Sequence, residues 1–224
     1  MTQDINLISL EEIANKYPTD KGRSGHYYTS KYELFLEPFR NEKLKIFEIG
    51  VDKGYSVKMW KEYFPQAEIY AIDILDKTEY QEERITIETG SQNDPEFLNR
   101  FNAKYGPFDI IIDDGSHINT DMTFSFNHLF PLLAQGGLYI VEDIHACYWP
   151  WVQTKGGENF TNRVKALLDS VNRHGKAGQA NPENWAQDAV FANRMVGEMD
   201  YWDLAIESIH AFMSIVFIFK TRRS

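Results

Sequence analysis

The stretch Phe108-Asp109-Ile110-Ile111-Ile112-Asp113-Asp114-Gly115-Ser116-His117 runs an apolar segment of strand length into two adjacent carboxylates, a turn glycine and a histidine. Strands of a parallel sheet are covered on both faces and read as unbroken Val/Ile/Leu runs, and open α/β sheets bind ligands just beyond the carboxyl ends of such strands. Asp113, Asp114 and His117 therefore stand where a site would be. Outward from this run, strand and helix signals alternate. Strands are predicted over Lys45 to Ile49, Glu68 to Ile74, Ile85 to Thr89, Asp109 to Asp113 and Leu138 to Asp143, with helices over Ser56 to Tyr63, Pro95 to Lys104 and Thr120 to Leu133. Such alternation implies right-handed βαβ crossovers and a mainly parallel sheet. Ala205 to Met213 and Ser214 to Lys220 read as two strands joined by a very short turn, hence an antiparallel hairpin at the sheet edge.

Two segments fall outside this rhythm. Residues 1–43 form a helical lead-in or lid, with Leu7, Leu10, Ile13 and Ala14 at helical spacing, a polar turn from Thr19 to Gly25, and a second helical stretch from Tyr32 to Phe39. Residues 144–203 are aromatic and Gly- and Asn-bearing, with helices expected near Phe160 to Arg173 and Trp185 to Met199. An insertion this long is usually functional, and it is expected to form an acceptor-binding surface. Gly156-Gly157 and the Gly175 to Gly178 stretch would serve as hinges, and Tyr148, Trp149, Trp151 and Trp185 offer rings that can stack on sugar faces, although aromatics are more often core.

At 224 residues, 43% hydrophobic and 25% charged, the chain fits a single domain over 1–224. A formal net charge of -10 disfavours a nucleic-acid partner, whose affinity rests on Lys and Arg neutralising phosphates. The one cysteine, Cys147, excludes an internal disulfide and reads as a packing residue. With no basic-then-apolar leader and no apolar run approaching the ~20 residues of a membrane span, the expectation is a cytoplasmic protein without a membrane partner. Self-association is left open.

The first strand, Ile46-Phe47-Glu48-Ile49-Gly50, leads into Val51-Asp52-Lys53-Gly54 and then a helix. Gly50 allows a tight turn and Gly54 a close approach to the helix start. A dinucleotide site wants G-x-G-x-x-G with pyrophosphate on the helix N-terminus; here the spacing is G-x-x-x-G, and Glu48 would repel pyrophosphate. An acid there suits a ligand carrying an ammonium and a sulfonium, which is S-adenosylmethionine (SAM). Asp73 ends the second strand at the position that holds ribose hydroxyls in nucleotide-binding sheets, a feature NAD and SAM sites share. Ser91 and Gln92, after the third strand, suit an adenine edge. Glu48 and Asp73 can also be read as plain strand-end acids.

Asp113, Asp114 and His117 end the fourth strand; Glu142, Asp143 and His145 end the fifth, its neighbour in this fold type. Asp114 and Asp143 can point into one cleft, and hard divalent ions such as magnesium take carboxylate oxygens. Zinc sites prefer Cys and His in tight spacing, which is absent. Adjacent side chains on a strand face opposite ways, so Asp113 and Asp114 would do different jobs, one toward the cofactor and one toward the metal. A hydroxyl is a poor nucleophile until a metal acidifies it and a base takes its proton. His117 fits that base, histidine being the side chain that ordinarily titrates near neutrality. The plainer alternatives are a turn-forming Asp-Gly and a capping histidine.

These residues resemble the metal-dependent, SAM-dependent sugar O-methyltransferases of macrolide and deoxysugar pathways, the mycinamicin and tylosin type, over nearly the whole chain. The resemblance is carried by Thr19-Asp20-Lys21-Gly22 with His26 and Tyr28, by Phe47-Glu48-Ile49-Gly50-Val51 with Met59-Trp60, and by Ile112 to His117. Val141-Glu142-Asp143-Ile144-His145 with Tyr148-Trp149-Pro150, and Ser208-Ile209-His210-Ala211-Phe212, complete it. The family's macrolide members often carry an extra N-terminal domain that this chain is expected to lack. The resemblance implies a Rossmann-like class I methyltransferase fold, an α/β architecture with a mainly parallel seven-stranded sheet. It further implies SAM and Mg2+ as cofactors, Asp114 and Asp143 as metal ligands, Asp52 as the candidate third ligand, and His117 as general base toward a hydroxyl of a small-molecule or glycan acceptor. The rival readings are a methyltransferase for a phenolic or catechol acceptor, an NAD-dependent oxidoreductase or epimerase, and a non-catalytic binding protein on the same fold.

Overall fold

Seven strands, Lys45–Ile49 (β1), Glu68–Asp73 (β2), Ile85–Thr89 (β3), Ile110–Asp113 (β4), Leu138–Val141 (β5), Ile206–Phe212 (β6) and Ile215–Lys220 (β7), form one sheet in the order β3-β2-β1-β4-β5-β7-β6. In this computed structural model residues 8–153, 158–172 and 199–222 are described. The expected helix Trp185 to Met199, apart from its last residue, and the glycine hinges lie outside the described residues, as do Leu7 and Trp185. The chain divides into two compact units, residues 1–115 and 116–224.

In the first unit β1 pairs in parallel with both β2 and β4, and β2 with β3. The apolar run Ile110 to Ile112 is buried throughout as β4, as a strand covered on both faces must be. Around these strands lie the helices Leu10–Lys16 (α1), Thr29–Leu36 (α2), Tyr55–Tyr63 (α3) and Pro95–Tyr105 (α4). Ser9 and Glu12 close a capping box on α1, and Asp94 caps α4 ahead of Pro95. Alternation along β1 sorts its side chains. Phe47 joins an aromatic cluster with Phe101 of α4 and Phe108, each 4.9 Å away between ring centroids. Glu48, on the opposite face, meets α3. Truncating a ring packed like Phe47 costs about 3–5 kcal/mol. At the C-terminal end of α3, Arg84 donates to the carbonyls of Lys61, Phe64 and Ala67, satisfying groups the helix leaves open.

In the second unit the helices are Asn119–Leu129 (α5), Phe160–Val171 (α6) and Tyr201–Ala205 (α7). The predicted helix to Leu133 ends four residues early and passes into a 3-10 turn, Phe130–Leu132, because Pro131 cannot donate to the α ladder. The expected hairpin is present: β6 and β7 pair antiparallel, and β7 pairs antiparallel with β5. Phe126 of α5 stands among Phe130, Tyr139, Phe160 and Trp202, with the Arg163 guanidinium 4.2 Å over the Trp202 ring. Lys220 is buried, and its ammonium donates to the carbonyls of Phe130, Pro131 and Leu133. Strand β5 stops at Val141, two residues before the predicted end, and Asp143 turns the chain with φ 52°. No described helix is long and apolar enough to cross a membrane.

Candidate functional site

The strand order reverses between β1 and β4, and the crevice at that reversal is where open α/β sheets bind ligands. Gly50 ends β1 at φ 95°, and a Cβ there would sit 2.1 Å from the backbone oxygen of Asp114. Only glycine permits that approach. The turn it starts is tied to β2 by Asp73, whose carboxylate accepts from the amides of Val51 (2.9 Å), Asp52 (3.2 Å) and Leu75 (2.9 Å). Gly54, at φ 71°, caps α3, and a side chain there would collide with the Tyr80 ring.

Glu48 is fully buried. Ser56 Oγ donates to one oxygen at 2.9 Å, Trp60 Nε1 to the other at 3.3 Å, and the Lys21 ammonium lies 3.5 Å away. Burial pushes its carboxyl up to about 7, against the pull of Lys21. The ammonium beside Glu48 is thus the chain's own, brought in by the segment between α1 and α2. Lys21, 1% exposed, also donates to Asp114 Oδ2 at 2.5 Å. Asp113, facing the other way, is buried and accepts from Gln92 Nε2 at 3.1 Å. Gln92 in turn lies against Gly115, where any Cβ would strike its side chain. Ser91 accepts from the Asn93 amide.

In the second unit His117 Nε2 is 3.7 Å from Asp143 Oδ2, and His145 Nδ1 is 3.8 Å from Asp143 Oδ1. The His117 loop is pinned by polar side chains that no sequence motif marks. Gln153 Nε2 donates to the carbonyls of His117 (3.1 Å) and Ala146 (2.7 Å) while its Oε1 accepts from the Asn119 amide (2.7 Å). Asn119 and Asn159 both donate to the Cys147 carbonyl. Cys147 is buried, which pushes its thiol up and suits packing. Ser214, in the β6–β7 turn, hydrogen-bonds His145 Nδ1 and accepts at its carbonyl from the Ile144 amide. Trp149 packs edge-on against His145 and stacks at 5.7 Å on the exposed Trp151.

Asp114 in the first unit, and His117 and Asp143 in the second, each offer a ligand atom of the kind a metal takes. Two carboxylates with one imidazole and no thiolate suit a hard divalent ion better than zinc. Asp52 is not in that group; it is exposed in the Gly50–Gly54 turn with φ 46°, near Tyr80. Lys21, Asn119, Gln153 and Ser214 carry no periodic or motif signal of their own. Only the Thr19-Asp20-Lys21-Gly22 segment within the resemblance pointed near one of them.

Comparison with known proteins agrees with this architecture. A family model described as a methyltransferase domain matches residues 47–144. Demethylmacrocin O-methyltransferase of Streptomyces fradiae is 40% identical over 88% of this chain and 52% of its own length. Mycinamicin VI 2''-O-methyltransferase of Micromonospora griseorubida is 37% identical over 95% of this chain and 53% of its own length. The mycinamicin-pathway methyltransferase MycE, solved in complex with Mg, SAH and mycinamycin VI, superposes with a TM-score of 0.81 at 34% identity, covering 96% of this chain and 54% of that one. The chain spans about half the length of the curated relatives it matches. Residues 47–144 thus match a methyltransferase-domain family, and most of the chain is similar to sugar O-methyltransferases of macrolide and polyketide pathways.

Proposed function

We propose that this chain transfers a methyl group from SAM to a hydroxyl of a sugar, with a magnesium ion at Asp114 and Asp143 and with His117 as general base. The observation that carries the reading is the pairing of His117 Nε2 with the Asp143 carboxylate at 3.7 Å, a base beside an acid that suits a hard cation. It is supported by relatives whose names describe sugar O-methylation and by a solved relative that holds Mg and SAH.

Gly50, Gly54, Asp73, Ser91, Gln92 and Asp113, at or just beyond the carboxyl ends of β1 to β4, are the residues that would hold SAM. Asp73 already accepts backbone amides, but a carboxylate has about four lone-pair sites and retains capacity for ribose hydroxyls. Magnesium would supply Lewis acidity to the acceptor hydroxyl. His117 Nε2 takes the hydroxyl proton as the methyl passes from the sulfonium to that oxygen, and the neighbouring Asp143 carboxylate stabilises the imidazolium that results. Asp114 and the turn at Gly50 fix where the two reacting centres meet, and such alignment is worth more than any single contact.

The stacked pair Trp149 and Trp151 supports a sugar over a catechol, since an amphipathic ring face suits an aromatic shelf. The test measures methyl transfer from labelled SAM to glycosylated macrolides and to catechol, with and without EDTA, in the native protein and in Asp114→Asn. Transfer to the glycoside that is abolished by EDTA and by the substitution is expected. Transfer indifferent to both, or confined to catechol, overturns the reading.

A further inference from the structure

Lys21 is a charged side chain almost wholly removed from water, and the proposed reaction gives it no task. Its ammonium lies 2.5 Å from Asp114 Oδ2 and 3.5 Å from Glu48 Oε1. Burying an ammonium is expensive unless carboxylates compensate it, and here two do. The three groups come from separate parts of the first unit: the α1–α2 segment, β1, and the end of β4. Glu48 is held in turn by Ser56 and Trp60 of α3. The ammonium is therefore braced from the helix side, and it carries that rigidity to Asp114, which is itself only half-buried.

From this geometry we infer that Lys21 is a positioning residue for divalent-metal binding, fixing the Asp114 carboxylate in the orientation in which it serves as a ligand. The inference rests on the reading of Asp114 as a metal ligand. A cation beside a ligand also repels a second cation, and the sign of the net effect follows from counting charge. With Glu48 ionised, Glu48, Lys21 and Asp114 together carry -1, the same as Asp114 alone. The repulsion from Lys21 is offset by Glu48, while its orienting hydrogen bond is offset by nothing. This also explains why a lysine in this place sits against a buried glutamate: either partner without the other would change the charge at the ligand.

The double variant Lys21→Met/Glu48→Gln separates positioning from charge, because it keeps the net charge of the trio at -1 and removes only the brace. It also leaves no uncompensated buried ion, so it is the variant that folds if Lys21→Met alone does not. Binding of Mn2+ to the full chain is measured by electron paramagnetic resonance at pH 8, above the value of about 7 to which burial pushes Glu48. Asp114→Asn serves as control. The native protein is expected to bind Mn2+, Asp114→Asn to lose that binding, and the double variant to bind at least tenfold more weakly while its far-ultraviolet circular dichroism stays native. Lys21→Arg should recover part of the loss. Native-like Mn2+ affinity in the double variant overturns the positioning role and leaves the metal site standing. Absence of Mn2+ binding in the native protein, or its persistence in Asp114→Asn, overturns the metal-site reading and the inference with it.

Discussion

His117 and Asp143 face each other, Nε2 to Oδ2 at 3.7 Å, and each presents its side chain from left-handed backbone, φ 57° and 52°. Non-glycine residues in that region are uncommon, and strained conformations of order 1–3 kcal/mol persist where the surroundings over-determine them, commonly at functional sites. The loop after β4 and the loop after β5 thus both hold strained backbone, and both hold it at the residue whose side chain the proposed chemistry uses.

His117→Asn separates the backbone from the imidazole. Asparagine tolerates the left-handed region about as well as histidine does, so the loop should keep its path and the melting temperature should stay near native. Methyl transfer should fall by roughly 10²–10⁴, the range a general base contributes. Steady-state rates alongside thermal denaturation decide it, and a variant within threefold of native kcat would remove His117 from proton transfer.

Glu48 makes stability depend on pH in a definite direction. Burial raises its pKa from 4.5 to about 7 in the folded chain. A folded value above the unfolded one means that the native state is favoured most below pH 4.5, and that this advantage is withdrawn as pH rises through 7. The difference is on the order of 3 kcal/mol. In Glu48→Gln the component should vanish: unfolding free energies of native and variant, followed by urea titration from pH 4.5 to 8, should converge or cross in the variant's favour as pH rises. Parallel curves would show that Lys21 holds Glu48 ionised throughout.

Much of this was legible because the sheet is periodic and its boundaries are chemical. β1 and β3 fall on their predicted limits since apolar alternation starts and stops at polar residues there. The acids at the ends of β4 and β5 were legible for the same reason, as polar groups following buried runs. What was not legible is the set of contacts between segments far apart in sequence. Lys21 lies 93 residues from Asp114, and Gln153 lies 36 from His117. Neither separation leaves a spacing pattern, because tertiary partners of this kind are chosen by folded geometry and not by a helical or strand period. Glu48 is the instructive case: its strand follows from the pattern, while its complete burial and the partner for its charge, a lysine from the lead-in, do not.

Gly50 tests whether the β1 turn and the β4 end are built around each other. At φ 95°, with the Asp114 carbonyl oxygen 2.1 Å from any added Cβ, Gly50→Ala must move either backbone. The cost should be about 3 kcal/mol or more, combining the positive φ with the clash. SAM affinity should fall with it, since the same turn carries the amides that Asp73 holds. Gly115→Ala, which meets the flexible end of Gln92 instead of backbone, should be milder. Denaturant midpoints and isothermal SAM titrations of the two variants give the comparison, and equal tolerance at both positions would contradict the packing described.

Gln153 is the third support of the His117 loop, and its amide uses both ends. The nitrogen donates to His117 and Ala146 carbonyls, and the oxygen accepts from the Asn119 amide at the start of α5. Gln153→Ala removes these bonds at a cost of about 1–3 kcal/mol, partly offset by water because the residue is only half-buried. The catalytic loss should be larger in proportion, since a displacement of about 1 Å at a reacting group can cost 10²-fold in rate. Gln153→Glu discriminates further: it keeps the acceptor but turns the donor into a carboxylate facing two carbonyls, so it should be at least as damaging as alanine. SAM affinity should be unchanged in both, because none of these bonds reaches the β1–β2 turn. The expected signature is therefore a fall in kcat with SAM binding intact, and a Gln153→Glu variant with native kcat would mean that the loop is held by Asn119 and Asn159 without it.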